Sequence, residues 1–222
     1  MAIYRMKGLR KATACNNLGF TLIELLIAMV VSGVVVAGTV MIFQTMVRSH
    51  NTQVEITAMQ QNLRAAMFYL EQNIRMAGYD PSKETGAGFT SILTNRIAFT
   101  SDKDGSGTID SNWDERLEFR LISNRLERIN TAGVAWLVAD DIEALNFVYL
   151  DEDENPTSIA SSVRSVQVTI VGRIGTQAGY TNPHIDRTVY TNRSGAVVLP
   201  AQNDNIRRMA LTTSVSCRNL EW

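Results

Sequence analysis

The sequence predicts an α+β fold: a long N-terminal α-helix, the first half suited to crossing a membrane, packed on an antiparallel β-sheet head. Three observations carry this. Residues 20–47 contain a single charge, Glu24. From Ile56 to Ala77 apolar residues recur at helical spacing. Beyond Tyr79 the period drops to 2, the signature of strands with one buried face.

The apolar stretch comes first. At about 1.5 Å per residue it spans about 40 Å, more than a ~30 Å hydrocarbon core. Arg5, Lys7, Arg10 and Lys11 precede it with no acid among residues 1–19. That bias keeps the N-terminus cytoplasmic and sends the rest across. A secretory signal is excluded: its core is about 7–15 residues and ends in a small-x-small site. Here the polar break, Asn16-Asn17-Leu18-Gly19, comes before the core. Without those four bases, the 21 Lys and Arg fall to 17 against 22 Asp and Glu, a net −5. No basic tract marks a nucleic-acid partner. Cys15 follows Thr-Ala but has no hydrophobic region before it, so the lipidation reading fails. Cys217 alternates with Leu211 and Val215 and reads as a buried, inert thiol.

The order of a short basic leader, Gly19, Phe20 and then Thr21-Leu22-Ile23-Glu24-Leu25-Leu26 resembles the class III signal of the type IV pilin superfamily. The resemblance implies cleavage after Gly19 by the prepilin peptidase and N-methylation at Phe20. Glu24 becomes the fifth residue of the mature chain. Cleavage creates an ammonium at Phe20, which is costly to bury unpaired among apolar helices and is compensated by a carboxylate. In this family the carboxylate meets the terminal amine of an adjacent subunit and sets axial register. The first helical turn also suits a negative charge. On this reading Glu24 is an assembly device.

No proline occurs between residues 1 and 80, so a continuous helix is expected, with any softening at Gly33–Gly38. Gly33 and Ala37, like Ala28 and Ser32, lie four apart, a spacing that allows close helix approach. In the second half, Ile56, Met59, Leu63, Met67, Leu70, Ile74 and Ala77 form one face, and Gly78 and Pro81 end the helix. The organisation is thus leader 1–19, apolar half-helix 20–47, amphipathic half-helix 48–77 and β-rich head 78–222. Expected strands are Arg96–Thr100, Arg116–Ile122, Arg125–Ile129, Ala144–Leu150, Val163–Val171 and Arg208–Cys217, with Ser123-Asn124 as a tight hairpin. Gly172–Asn205 reads as irregular, with weak strands at Thr188–Tyr190 and Ala196–Leu199.

Gln60-Gln61-Asn62-Leu63-Arg64, Arg75-Met76-Ala77-Gly78-Tyr79-Asp80-Pro81, Ser165–Ile170 with Arg173, and Arg218-Asn219-Leu220 resemble the PilW-type minor pilins. The J-type pseudopilins of type II secretion share much of this head.

Ser101–Glu115 reads SDKDGSGTIDSNWDE. Asp102, Asp104, Ser106, Gly107, Thr108 and Asp110 occupy positions 1, 3, 5, 6, 7 and 9 of a calcium loop of the EF-hand type. Oxygen ligands at alternate positions around a glycine suit a hard cation. Position 12 is Trp113, so Asp114 or Glu115 must supply the last carboxylate if the loop closes differently. The expected ligands are Asp102, Asp104, Ser106, Thr108, Asp110 and Asp114, holding a structural Ca²⁺. A solvated acidic turn is the alternative.

An enzyme is not expected. His50 and His184 are the two histidines, far apart, and no phosphate-cradling glycine motif follows a strand. Asn192-Arg193-Ser194 is a formal glycosylation sequon. The resemblance implies a minor pilin acting in pilus assembly or initiation at or near the tip. Its partners would be other minor and major pilins, the prepilin peptidase/methyltransferase and the inner-membrane assembly platform. The head would be periplasmic before assembly and on the cell surface after it. The alternatives are a pseudopilin of type II secretion and a single-pass anchored periplasmic domain.

Overall fold

A computed structural model describes residues 19–110, 114–174 and 184–220. Leader residues 1–18 and Trp113 therefore lie outside the described residues. The chain divides into two compact units, one ending at His50 and the other beginning at Asn51.

Helix α1 (Leu22–Ile74) starts in the first unit, directly after Thr21, runs without interruption through Gly33–Gly38 and ends in the second. Ser32 Oγ donates to Ala28 O at 2.6 Å and Thr39 Oγ1 to Val35 O at 2.9 Å, so these hydroxyls are satisfied within the helix. Its apolar side chains, Phe20 through Val47, are solvent-exposed in the single chain. The helix is long and apolar enough to cross a membrane.

The second unit has its own core. Met59, Leu63, Ala66, Met67, Leu70 and Ile74 of α1 are buried on the face predicted from spacing, while Ile56 is half-buried. The helix stops at Ile74 rather than Ala77. Met76 N–H donates to Asn73 O and Ala77 N–H to Ile74 O, both at 3.0 Å, so the last turn tightens to i→i−3 bonds. Gly78 follows at φ +77 in the left-handed region.

The head strands are β1 (Phe89–Leu93), β2 (Arg96–Thr100), β3 (Arg116–Ile122), β4 (Arg125–Ile129), β5 (Ala135–Ala139), β6 (Ile142–Leu150), β7 (Ser165–Arg173), β8 (Tyr190–Thr191), β9 (Val197–Leu199) and β10 (Arg208–Ser216). All pairings are antiparallel. They form a five-stranded sheet in the order β1-β2-β3-β4-β5, a three-stranded sheet β10-β7-β6 and a β8-β9 ribbon. The β3–β4 turn has Ser123 at φ 50 and Asn124 at φ 62, the two positive dihedrals a two-residue type I′ hairpin requires. Phe99 stacks on Phe119 and Tyr69 meets Phe119 edge-on at 6.0 Å, joining the five-stranded sheet to the helix. Opposite, a Cβ on Gly172 of β7 would lie 2.8 Å from Leu63 Cδ2, so glycine permits close helix–strand packing there. Cys217 is buried as expected, and burial pushes its thiol pKa up to about 12.

β1 and β5 are strands that period-2 reading does not mark. In β5 the apolar Trp136 and Leu137 are both exposed, so burial does not alternate. Asn192, the sequon residue, is buried with Nδ2 donating to Asn146 Oδ1 at 3.1 Å, which leaves no open acceptor for a glycan.

Candidate functional site

Two places concentrate the predicted site residues: the start of α1 and the acidic loop. At the helix start, Phe20 is 90% exposed. Thr21 N–H donates to Glu24 Oε2 at 2.9 Å, and Thr21 Oγ1 donates to the same oxygen at 3.0 Å. Glu24 N–H donates back to Thr21 Oγ1 at 3.3 Å. This is a reciprocal capping box, which satisfies orphan N–H groups of the first turn. Thr21 is absent from the sequence-derived site, although Thr-x-x-Glu spacing is the signal that identifies it. Both bonds to the carboxylate fall on Oε2, so Oε1 keeps lone pairs for an incoming donor such as a neighbour's ammonium.

The acidic loop is built from the end of β2 and the start of β3. Ser101 N–H donates to Glu115 O at 2.8 Å, which closes the loop's base. Asp102 is fully buried. Its Oδ1 accepts from Gly105 and Ser106 N–H at 2.7 and 3.1 Å, and its Oδ2 from Gly107 N–H at 3.0 Å. Glu115 is also fully buried, accepting from Lys103 N–H at 2.8 Å and from Asp110 N–H at 2.8 Å. Carboxylate oxygens of Asp102, Asp104 and Glu115 lie within 4.8 Å of one another. The donor set is all hard oxygen, which fits calcium and not a thiolate-seeking metal.

The predicted ligands divide. Asp102 and Asp104 are brought together. Ser106 Oγ and Thr108 Oγ1 face each other at 3.2 Å, and Asp110 contributes its backbone N–H to Glu115. Asp114 is not gathered: it pairs with Arg128, whose guanidinium lies 4.8 Å from the Trp136 ring centre. Glu115, not Asp114, lies beside Asp102 and Asp104. Asp114 itself sits at φ 53, in the left-handed region.

The loop is bonded to the helix end. Gly78 N–H donates to Thr100 O at 3.0 Å and Asp102 N–H to Tyr79 O at 2.7 Å. Asp80 accepts from Thr85 Oγ1 at 2.6 Å and from Lys83, Thr85 and Gly86 N–H. The Thr85 hydroxyl above all, with the other donors, holds its carboxyl well below the usual range. Asn219 Nδ2 donates to Arg75 O at 2.9 Å, and Leu220 lies where a side chain at Gly78 would be. The words Arg75–Pro81 and Arg218–Leu220, distant in sequence, thus meet at one joint.

A third cluster, unforeseen from sequence, holds the segment 184–206. Arg208, 1% exposed, donates to Glu143 at 2.6 Å, Asp204 at 2.6 Å and Asp186 at 3.3 Å. Tyr190 Oη donates to Asp186 Oδ2 at 3.0 Å. The bond from Arg208 holds the Asp204 carboxyl below its ordinary pKa.

A membrane-length helix whose second half packs on antiparallel sheets, led by a Gly-Phe-Thr-Leu-Ile-Glu start, is the arrangement of a type IV pilin-like protein. A family model for prepilin peptidase-dependent protein B matches residues 52–193, and the prokaryotic N-terminal methylation motif matches residues 15–40. The chain belongs to the prepilin peptidase-dependent protein B family. A type IV-like pilin from Thermus thermophilus shares the fold at 15% identity, with a TM-score of 0.50, over 73% of this chain and 98% of that one. No curated protein matches.

Proposed function

We propose that this chain is a minor pilin of a type IV pilus, cleaved after Gly19, N-methylated at Phe20, and active in initiating assembly at or near the tip. The supporting observation is the start of α1. There a lone carboxylate in an apolar helix is held by Thr21 beside the residue that cleavage turns into an ammonium. Pairing Glu24 with the terminal amine of an adjacent subunit removes a charge from each side as helices bundle. Before assembly the anchor sits in the inner membrane with a periplasmic head, and the partners are other pilins, the processing enzyme and the assembly platform. The role is structural rather than enzymatic.

The acidic loop holds a structural calcium ion in this reading, with Asp102, Asp104 and Glu115 as carboxylate ligands. Three mutually close carboxylates, two of them buried, repel one another, and a cation between them would add to the relief that the backbone N–H donors already give.

Mass spectrometry of the mature N-terminus tests the first proposal. A chain beginning with N-methylated Phe20 in sheared pili is expected; one beginning at Met1 overturns it. Deleting the gene should abolish piliation while protein secretion continues. Loss of secretion with normal pili would assign the chain to a secretion pseudopilus instead.

A further inference from the structure

Strand β10 is an outer strand of the β10-β7-β6 sheet, and its ladder shows which backbone groups are engaged. Ile174 N–H donates to Arg207 O at 3.0 Å and Cys217 N–H to Arg164 O at 2.9 Å, at the two ends of an uninterrupted antiparallel pairing. Those bonds put Met209, Leu211, Thr213 and Val215 at the positions hydrogen-bonded to β7. The N–H and C=O groups of Ala210, Thr212, Ser214 and Ser216 therefore point away from the sheet. Arg208 O points the same way and accepts from Tyr190 Oη at 3.2 Å, which closes that end of the edge. Beyond it the edge is open, and Thr212, Ser214 and Ser216 are exposed.

Sheet edges are ordinarily blunted by charge, proline, a bulge or a cover. Met209–Ser216 carries no charge, no proline and no register shift. The other edges are protected. On β6, Phe147 N–H donates to Thr94 O at 2.7 Å and Tyr149 O accepts from Thr157 N–H at 2.9 Å. β1 and β5 are each 5 residues long and shift register.

The open edge ends at an acidic cavity. A space of about 580 Å³ is lined by Ser214, Ser216, Arg164, Asp151, Glu152 and Glu154. Thr213 bonds to Glu71 of α1 and Val215 is buried, so Ser214 and Ser216 present their side chains on the sheet face away from the helix. Arg164 is already engaged, with Nη1 donating to Ser161 O and Val163 O at 2.9 and 3.0 Å. Glu152 and Glu154 are exposed.

We infer that the free edge of β10 takes an extended segment of another polypeptide as an added strand. That segment is uncharged along Ala210 and Thr212 and carries a lysine or arginine beside Ser214 and Ser216. Main-chain bonds supply the binding, and the acidic cavity selects the basic side chain. The surface needs neither cleavage after Gly19 nor a metal, so it stands apart from the assembly reading.

The test uses the purified full-length chain in detergent micelles and fluorescein-labelled peptides of alternating threonine and valine. Two of them carry a lysine pair, at the N-terminal or the C-terminal end, and two matched ones carry a glutamate pair. By fluorescence anisotropy, one lysine peptide should bind about tenfold more tightly than its glutamate counterpart. Glu152→Gln combined with Glu154→Gln should remove most of that preference. Ser214→Pro deletes an N–H that β7 does not use, so it should abolish binding while thermal melting stays that of wild type. In wild type, bound peptide should slow amide exchange at Ala210, Thr212, Ser214 and Ser216 and leave Met209, Leu211, Thr213 and Val215 unchanged. No binding by either lysine peptide, equal binding of lysine and glutamate peptides, or unaltered exchange at those four amides overturns the inference. A chain that sediments as a dimer, and as a monomer in Ser214→Pro, makes a second copy the occupant and overturns it too.

Discussion

Replacing Glu115 with Gln separates a calcium loop from a solvated acidic turn. The fragment to use is Asn51–Trp222, a compact unit that contains the whole buried core from Met59 to Cys217. Without a cation, Asp102 and Glu115 oxygens within 4.8 Å repel by about 3–4 kcal/mol at an effective dielectric near 20. The loop's backbone N–H donors offset that repulsion. Calcium at about ten times its Kd adds about 1.4 kcal/mol of stability. For a domain of this size each kcal/mol moves Tm by about 2–4 °C, so the calcium-dependent rise should be about 3–6 °C.

The calcium-dependent increment is the readout, because the calcium-free effect of Glu115→Gln mixes relief of repulsion with loss of an acceptor for Lys103 and Asp110 N–H. In Glu115→Gln the increment should vanish. In Asp114→Asn it should persist, since Asp114 pairs with Arg128 outside the cluster. Thermal melts followed by circular dichroism, in millimolar calcium and in chelator, give all the values. Equal increments in wild type and Glu115→Gln, or no increment in wild type, refute the metal reasoning. An increment lost in Asp114→Asn and kept in Glu115→Gln refutes the geometric assignment.

Glu24→Ala should leave membrane insertion and cleavage intact while incorporation into pili, measured by immunoblot of sheared filaments, falls at least tenfold. Normal incorporation would remove the charge-pairing argument. Arg208→Ala leaves the carboxylates of Glu143, Asp186 and Asp204 without their shared guanidinium and should cost about 3–5 kcal/mol by denaturant titration. The same cluster sets an acid response. Asp204 has a folded pKa below its ordinary value, so its contribution is complete above that ordinary value, near 4, and is lost as pH falls through the lower folded one. Acid titration of wild type should therefore show a larger loss of stability below about pH 4 than Arg208→Ala, which keeps the share from Asp80 but not that from Asp204. Gly172→Val should destabilise the head by about 1–3 kcal/mol, because a Cβ there meets Leu63 at 2.8 Å.

Local rules made much of the fold legible. The 3.6-residue period marks the buried stripe of α1, alternation marks the strands with one buried face, and Ser123-Asn124 marks a tight hairpin. What failed shares a cause, since it depends on neighbours remote in the chain or on one backbone angle. β5 exposes Trp136 and Leu137 side by side at a sheet edge and has no period to read. Arg208 gathers carboxylates 65, 22 and 4 residues away, a convergence no spacing announces. In the acidic loop composition gave the oxygen donors, but that Glu115 rather than Asp114 lies beside Asp102 and Asp104 depends on the pairing of Asp114 with Arg128, a partner on another strand. At the helix start the opposite happened. Thr-x-x-Glu spacing was available, and the long-range role proposed for Glu24 masked its local one.

The capping contacts of Glu24 are compatible with the pairing proposed for it. In the single chain the carboxylate already closes the first turn through Oε2, so Thr21 fixes its position before any neighbour arrives. A pre-positioned acceptor loses less side-chain entropy when the ammonium comes, which sharpens register without requiring a stronger ion pair. The far end of the helix is fastened by the same kind of local device. Gly78 and Tyr79 bond to Thr100 and Asp102, and Asn219 bonds to Arg75, so the stop of α1 and the acidic loop share backbone bonds.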